Sequence, residues 1–235
     1  MKLLLISNST NAGEEYLRYP MPEIGRFLAG VREIAFVPYA AVTFSYADYE
    51  KKVQARFSEL GIRVRSVHRA ADPARAIREA EAVCVGGGNT FALAKKMQEQ
   101  GLMAAILRKI KAGTPYVGWS AGSNVACPTI STTNDMPIVQ PASFRAIGAV
   151  KFQINPHYLD ANPEGHASRP TRAAGSSDCA RGACSATRRG GWSSSDAARC
   201  ASSKRESPPT RYSRATTFRS CSDRYNKRYN IGTAP

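Results

Sequence analysis

Residues 115–124 read Pro-Tyr-Val-Gly-Trp-Ser-Ala-Gly-Ser-Asn. An apolar strand runs into a Gly-x-Ser-x-Gly turn and then into residues that suit a helix. This is the pattern of a nucleophile elbow centred on Ser120: the serine takes a strained conformation at a sharp strand-to-helix turn. Side chains two positions to either side would collide, so Gly118 and Gly122 flank it. The following helix aims its free amides and positive dipole end at the same point, which makes the Ala121 amide a candidate oxyanion donor. The competing reading of the pentapeptide is an ordinary glycine turn.

Working outward, short apolar runs alternate with helix-compatible stretches up to about residue 167. The reading expects strands at 2–7, 33–38, 62–68, 82–85 and 115–119, with helices around 21–28, 46–60, 73–80, 90–100 and 103–111. Strands separated by helices imply an α/β fold of three layers with a mainly parallel sheet. Ligands of such sheets bind beyond the carboxyl ends of the strands, where Ser7-Asn8-Ser9, Gly86-Gly87-Gly88-Asn89 and Ser120 all fall. The opening run Met1 to Ile6 stops at Ser7, too short for a signal peptide and better read as a buried strand. No stretch approaches the roughly 18 apolar residues of a membrane span, and a soluble cytoplasmic protein is expected.

The 235 residues carry a formal net charge of +15. The charge is uneven: from Ser168 onward about 14 Lys and Arg stand against about 4 Asp and Glu, roughly +10 of the total. That same stretch holds Ile231 as its one branched aliphatic residue. Arg, Ser, Ala, Thr and Cys recur there without helical or strand period. Three readings apply to 168–235: a basic low-order tail, a nucleic-acid arm with Tyr212, Tyr225 and Tyr229 among arginines, or a shifted-frame translation of a G+C-rich gene. The last is favoured because the break falls inside a continuing domain. The cysteines show no Cys-x-x-Cys pair, and a tail zinc site is disfavoured by irregular spacing and by the lack of histidine after His166.

A serine needs a base to take its proton, and three histidines are available. His68 ends a short strand and reads as structural or exposed. His157, in Ile154-Asn155-Pro156-His157, follows a strand expected at 150–154 and is preferred to His166, which stands in a more polar stretch. Asp135, in Thr132-Thr133-Asn134-Asp135-Met136-Pro137, is the candidate acid that holds the base, against a plain Asx-turn role. The Gly86-to-Asn89 run lacks the Lys-Ser/Thr of a phosphate loop, and its Gly88 amide is the candidate second oxyanion donor, against a simple tight turn.

Together, Ser7-Asn8-Ser9, Gly86-Gly87-Gly88-Asn89-Thr90-Phe91, Gly118-Trp119-Ser120-Ala121-Gly122, Cys127-Pro128-Thr129-Ile130, Thr133-Asn134-Asp135-Met136-Pro137 and Ile154-Asn155-Pro156-His157 resemble the peptidase E family over residues 1 to about 167. These are aspartyl dipeptidases, serine peptidases with a class I glutamine-amidotransferase-like fold. The resemblance implies a cytoplasmic, metal- and cofactor-independent exopeptidase that hydrolyses Asp-Xaa dipeptides. It makes Ser120 the nucleophile, His157 its base, Asp135 the charge-relay acid, and Gly88 and Ala121 the oxyanion donors. The family pattern continues with a Gly-Glu-Thr-Arg helix start and a glutamate also proposed as the third catalytic residue. Here the chain reads Ala167-Ser168-Arg169-Pro170-Thr171-Arg172, and Glu206 is the only glutamate that follows. On this reading the chain is an impaired relative, and no substrate-binding role passes to Arg172. A cyanophycinase-like peptidase cleaving Asp-Arg units is the alternative within the fold. A lipase-type hydrolase is disfavoured by the short Ser-to-His interval and the lack of a His-Gly-Gly-Gly motif, and nucleic-acid binding through the tail is the alternative of another class.

Overall fold

The computed structural model describes residues 1–157 and, as backbone, the strands at 177–178 and 183–187. All of these lie within the compact unit Met1–Ser203. The readings placed on His166, Arg172, Glu206 and the tyrosines of the tail lie outside the described residues.

Five strands, β1 (Lys2–Ile6), β2 (Glu33–Val37), β3 (Arg63–Ser66), β4 (Ala82–Val85) and β5 (Pro115–Trp119), pair in parallel. The strand β8 (Ala183–Thr187) joins antiparallel to β1, giving the order β3-β2-β4-β5-β1-β8. The helices between the parallel strands are α1 (Met21–Phe27), α2 (Tyr46–Ser58), α3 (Pro73–Glu79), α4 (Thr90–Glu99) and α5 (Leu102–Lys111), and β5 leads directly into the single turn α6 (Ala121–Asn124). A second, two-stranded sheet pairs β6 (Ile154–Asn155) with β7 (Ser177–Asp178).

Side-chain alternation divides the core into two layers. Leu4, Ile6, Phe36, Cys84, Val117 and Trp119 pack on one face of the sheet with Ile24 of α1 and Tyr49, Val53 and Phe57 of α2. Leu3, Leu5, Val37, Val83, Val85 and Tyr116 pack on the other with Ile77, Leu93, Met97, Ile106 and Ile110 of α3 to α5. Strands covered on both faces must be apolar throughout, and this is why Leu3-Leu4-Leu5-Ile6 and Ala82-Val83-Cys84-Val85 carry no polar residue. Each large side chain buried here contributes roughly 1.5–3 kcal/mol. Helix starts are set by caps: Ser45, Asp72 and Asn89 accept from Asp48 N, Arg75 N and Ala92 N.

The expected three-layer parallel α/β fold is therefore present, with two local corrections. The strand expected at 62–68 ends at Ser66, because Val67–Arg69 turn into a 3₁₀ helix. The strand expected at 150–154 is only Ile154–Asn155. The preceding residues hang instead on the segment after α6, with Ala149 N donating to Ala126 O at 2.9 Å and Gly148 N to Cys127 O at 2.9 Å. In the stretch after residue 168, β7 and β8 are built from small residues without aliphatic alternation, which left no strand signal to read.

Candidate active site

Three adjacent strands, β4, β5 and β1, end side by side, so Gly86–Asn89, Ser120 and Ser7 meet at one carboxyl edge. Ser120 sits at φ 53° and ψ −115°, a conformation that L-residues avoid. Its amide donates to the Ile6 carbonyl at 3.0 Å, and its carbonyl accepts from Ser123 and Asn124, which closes the turn. The flanking glycines are sterically required: a Cβ on Gly118 would lie 2.5 Å from the Gly122 carbonyl oxygen, and one on Gly122 2.0 Å from that of Val85. Ser123 Oγ clamps the two strand ends, accepting from Ile6 N at 2.9 Å and lying within bonding distance of the Ile6 and Gly118 carbonyls.

His157 Nε2 lies 2.8 Å from Ser120 Oγ. The histidine is held through its main chain. It adopts φ 63°, and its amide donates to the buried Ser7 Oγ at 2.9 Å. Just before it, Ile154 O accepts from Thr132 Oγ1 at 2.6 Å. Although the residue keeps an exposed edge, loss of water around the ring lowers the imidazole pKa below 6.5, and the Asp135 charge pulls the other way. The ring is thus neutral at pH 7 and able to accept a proton.

Ser120, His157, Asp135, Ala121, Thr90 and Asn124 line one shallow pocket of about 30 Å³. Asp135 Oδ2 accepts from Thr90 N at 2.7 Å and from Thr133 Oγ1 at 3.0 Å, so the carboxylate is tied to the amino terminus of α4. Its influence on His157 is through charge, with no direct hydrogen bond between the two among the described contacts. Ala121 lines the pocket; Gly88 is not among its lining residues and stands at φ 133° against the Ala40 carbonyl, where a Cβ would come within 2.2 Å. Gly87 presses on Ser120, since a Cβ there would lie 2.9 Å from that of the serine. Asn124 Nδ2 donates to Thr132 Oγ1 at 3.0 Å, while its buried Oδ1 has no partner among the described groups.

The other histidine described, His68, is spent on the sheet: its Nδ1 lies 2.6 Å from Ser66 Oγ, a buried hydroxyl on β3 with no open face. Burial pushes the Cys127 thiol up to about 12 and the Cys84 thiol well above its ordinary value, so neither ionises. Among the described residues no group of three or more His, Cys, Asp or Glu is placed to hold a metal ion, and no helix is long and apolar enough to cross a membrane. Sequence reading missed the parts played by Thr90, Thr133, Ser123 and Tyr49. Thr90 and Ser123 act through partners far along the chain, and Tyr49 looks like any apolar residue on the buried stripe of a helix.

A serine on a strained strand-to-helix turn, beside an imidazole and the first amides of a helix, has the geometry of the hydrolase class that carries an elbow serine on an α/β sheet. Comparison with known proteins narrows this. The sequence model of peptidase family S51 matches residues 3–178, and the chain belongs to that family of peptidases. Peptidase E of Citrobacter koseri is 51% identical over 166 residues, 71% of this chain and 72% of the relative. Peptidase E of Nostoc sp. (strain PCC 7120) is 53% identical over 161 residues, 68% of this chain and 66% of the relative. Among solved structures, a candidate peptidase E protein from Listeria monocytogenes EGD-e superposes with a TM-score of 0.56 at 25% identity, covering 67% of this chain and 79% of that one. A peptidase from an acI-B1 Actinobacterium, with a TM-score of 0.53 at 18% identity, shares the fold.

Proposed function

We propose that this chain is a cytoplasmic serine exopeptidase that hydrolyses dipeptides with an amino-terminal aspartate. The observation that carries the reading is the 2.8 Å contact between His157 Nε2 and the Oγ of Ser120 on its strained turn. In this reading His157 takes the Ser120 proton as Oγ attacks the peptide carbonyl. The amides of Ala121 and Gly88 receive the oxyanion, and the imidazolium then returns the proton to the leaving amine. Asp135 stabilises that imidazolium by its charge. Water hydrolyses the acyl-enzyme by the same steps reversed. The peptidase E relatives favour this over a cyanophycinase-like activity and over nucleic-acid binding.

The reading extends to the tail. Residues 168–235 lack the family's glutamate in an apolar setting, and we take them as a shifted-frame sequence that leaves the enzyme impaired. Loss of an orienting carboxylate can lower kcat by about 10⁴ even with geometry intact. Reading the gene across codons 160–175 tests this, because another frame should restore an apolar, strand-rich end.

The functional test is twofold. The full chain is incubated with Asp-Leu, with β-linked Asp-Arg and with a fluorophosphonate, and the labelled residue is found by mass spectrometry. Label on Ser120, absent from Ser120→Ala and His157→Gln, with cleavage of Asp-Leu alone, is the expected result. Cleavage of β-Asp-Arg alone selects the cyanophycinase-like reading, and an unlabelled Ser120 ends the serine-peptidase account.

A further inference from the structure

Tyr49 lies on α2, the helix across the sheet from α6, and has no place in the serine chemistry as described above. Its ring is 2% exposed, wedged edge-on against Phe36, Phe44 and Tyr16. Its hydroxyl meets three polar groups: the Gly87 carbonyl at 3.0 Å, Trp119 Nε1 at 3.1 Å and the Tyr16 hydroxyl at 3.2 Å. The directions of these bonds follow from chemistry. An indole N–H only donates and a carbonyl only accepts, while a phenol has one proton. Tyr49 therefore accepts from Trp119, gives its single proton to Gly87 O, and offers its remaining lone pair to Tyr16.

Gly87 C=O and Gly88 N–H are the two ends of one peptide plane. In a trans peptide they point in opposite directions, so fixing the oxygen fixes the direction of the N–H. That control is needed at this point in the chain. Gly86, Gly87 and Gly88 run together, Gly88 stands at φ 133°, and glycine's freedom leaves little steric resistance to turning the plane over. The other anchors of the loop lie outside this plane: Gly86 N donates to Val37 O at 3.1 Å and Asn89 N to Ala40 O at 2.8 Å. Trp119 directly precedes the nucleophile, so the same hydroxyl joins the glycine loop to the elbow. Burial pushes the Tyr49 hydroxyl above its ordinary value, which keeps its proton in place at working pH.

We propose that Tyr49 is a positioning residue for the hydrolysis: by holding the Gly87 carbonyl, its hydroxyl aims the Gly88 amide at the oxyanion formed on Ser120. The inference rests on the oxyanion role given to Gly88 under the proposed function.

Tyr49→Phe removes the hydroxyl and keeps the ring. Loss of a whole oxyanion donor lowers rates by about 10² to 10³, and a donor left unaimed should lose part of that. In the full chain, fluorophosphonate labelling of Ser120 and kcat on Asp-Leu should fall by about ten- to a hundredfold. KM and the midpoint of the acid limb should stay unchanged, because Tyr49 acts through an amide and not through His157. Replacing Tyr49 with p-aminophenylalanine restores a donor and should recover most of the rate. Tyr16→Phe, which leaves the Tyr49–Gly87 bond, should label like the wild type. Labelling of Tyr49→Phe at the wild-type rate overturns the inference, as does an equal fall in Tyr16→Phe or a p-aminophenylalanine variant that stays slow though folded. A wild-type chain that does not label at Ser120 overturns the functional reading and this inference with it.

Discussion

One methyl group at position 122 puts the elbow under a defined load. In Gly122→Ala the new Cβ would stand 2.0 Å from the Val85 carbonyl oxygen and 2.8 Å from its carbon. Carbon atoms normally keep about 3.3 Å from such an oxygen. The turn between β5 and α6 must therefore retreat from β4 by about 1 Å or more. Val85 cannot yield in its place, because β4 is paired with β2 on one side and β5 on the other. Overpacking in a filled interior costs about 1–3 kcal/mol, and a backbone obstacle belongs at the upper end. About 3 kcal/mol corresponds to a fall of roughly 6–12 °C in Tm for a chain of this size. The same retreat moves Ser120 relative to His157, and a 1 Å misplacement of reacting groups can lower a rate by about 10²-fold. Thermal unfolding by circular dichroism measures the first effect; fluorophosphonate labelling well below the transition measures the second. Gly25→Ala is the control: its Cβ would meet only Leu60 Cδ2 at 2.9 Å, the far end of a flexible side chain. It should change neither quantity much. A Gly122→Ala protein that melts within about 2 °C of the wild type and labels at the same rate would refute the steric account of the elbow.

Hydrolysis should follow the neutral form of His157, so kcat/KM rises with pH through a midpoint below 6.5, and Asp135→Asn, which removes the one influence raising that midpoint, should move it lower still. An upward shift in the pH–rate profile would contradict the electrostatic role of Asp135. The same lowered pKa makes the unfolded chain bind the proton first as pH falls. His157's contribution to stability is then complete above about 6.5 and shrinks as pH drops toward the folded midpoint, and the difference in urea midpoint between wild type and His157→Gln at pH 7 and pH 5 checks the sign. Ser123→Ala strands the buried Ile6 N–H that Ser123 Oγ accepts, and urea denaturation should show a loss of about 1–3 kcal/mol.

The parts legible in the sequence are those whose physics is local. Leu3-Leu4-Leu5-Ile6 is an unbroken apolar run of strand length that stops at Ser7, and Gly118 and Gly122 mark the elbow because the clash they avoid lies within a few residues or on the adjoining strand. His157 is legible from its company with Asn155 and Pro156, and the fold brings it to Ser120 across 37 positions. What stayed hidden depends on partners that no spacing reveals. Asp135 finds the Thr90 amide 45 residues earlier, and Tyr49 finds the Trp119 indole 70 residues later. The strand expected before His157 failed for a related reason: the Val150 and Phe152 region is apolar enough for a strand but is used as packing on α6's continuation, with β6 left only two residues. β8, made of Ala, Cys, Ser, Ala and Thr, forms by lying along β1, whose edge would otherwise be open.

The way the base is held bears on which carboxylate the reaction needs. A triad acid that orients its histidine does so by accepting the Nδ1 proton, but the Oδ2 of Asp135 is already engaged by the Thr90 amide and the Thr133 hydroxyl. It also faces the positive end of α4, which draws off part of its field. In the proposed reaction Asp135 favours the imidazolium by its charge, since no hydrogen bond joins it to His157 among the described contacts. The backbone of the base is held separately: φ stands at 63°, and the His157 amide is anchored on the buried Ser7 Oγ. That anchorage brings the residue beside Ser120, while the tautomer and tilt of a histidine ring depend on what accepts from Nδ1. Under the proposed function, loss of a further acid from the carboxyl-terminal region would remove such an acceptor, and the reaction would slow although His157 Nε2 still lies 2.8 Å from Ser120 Oγ.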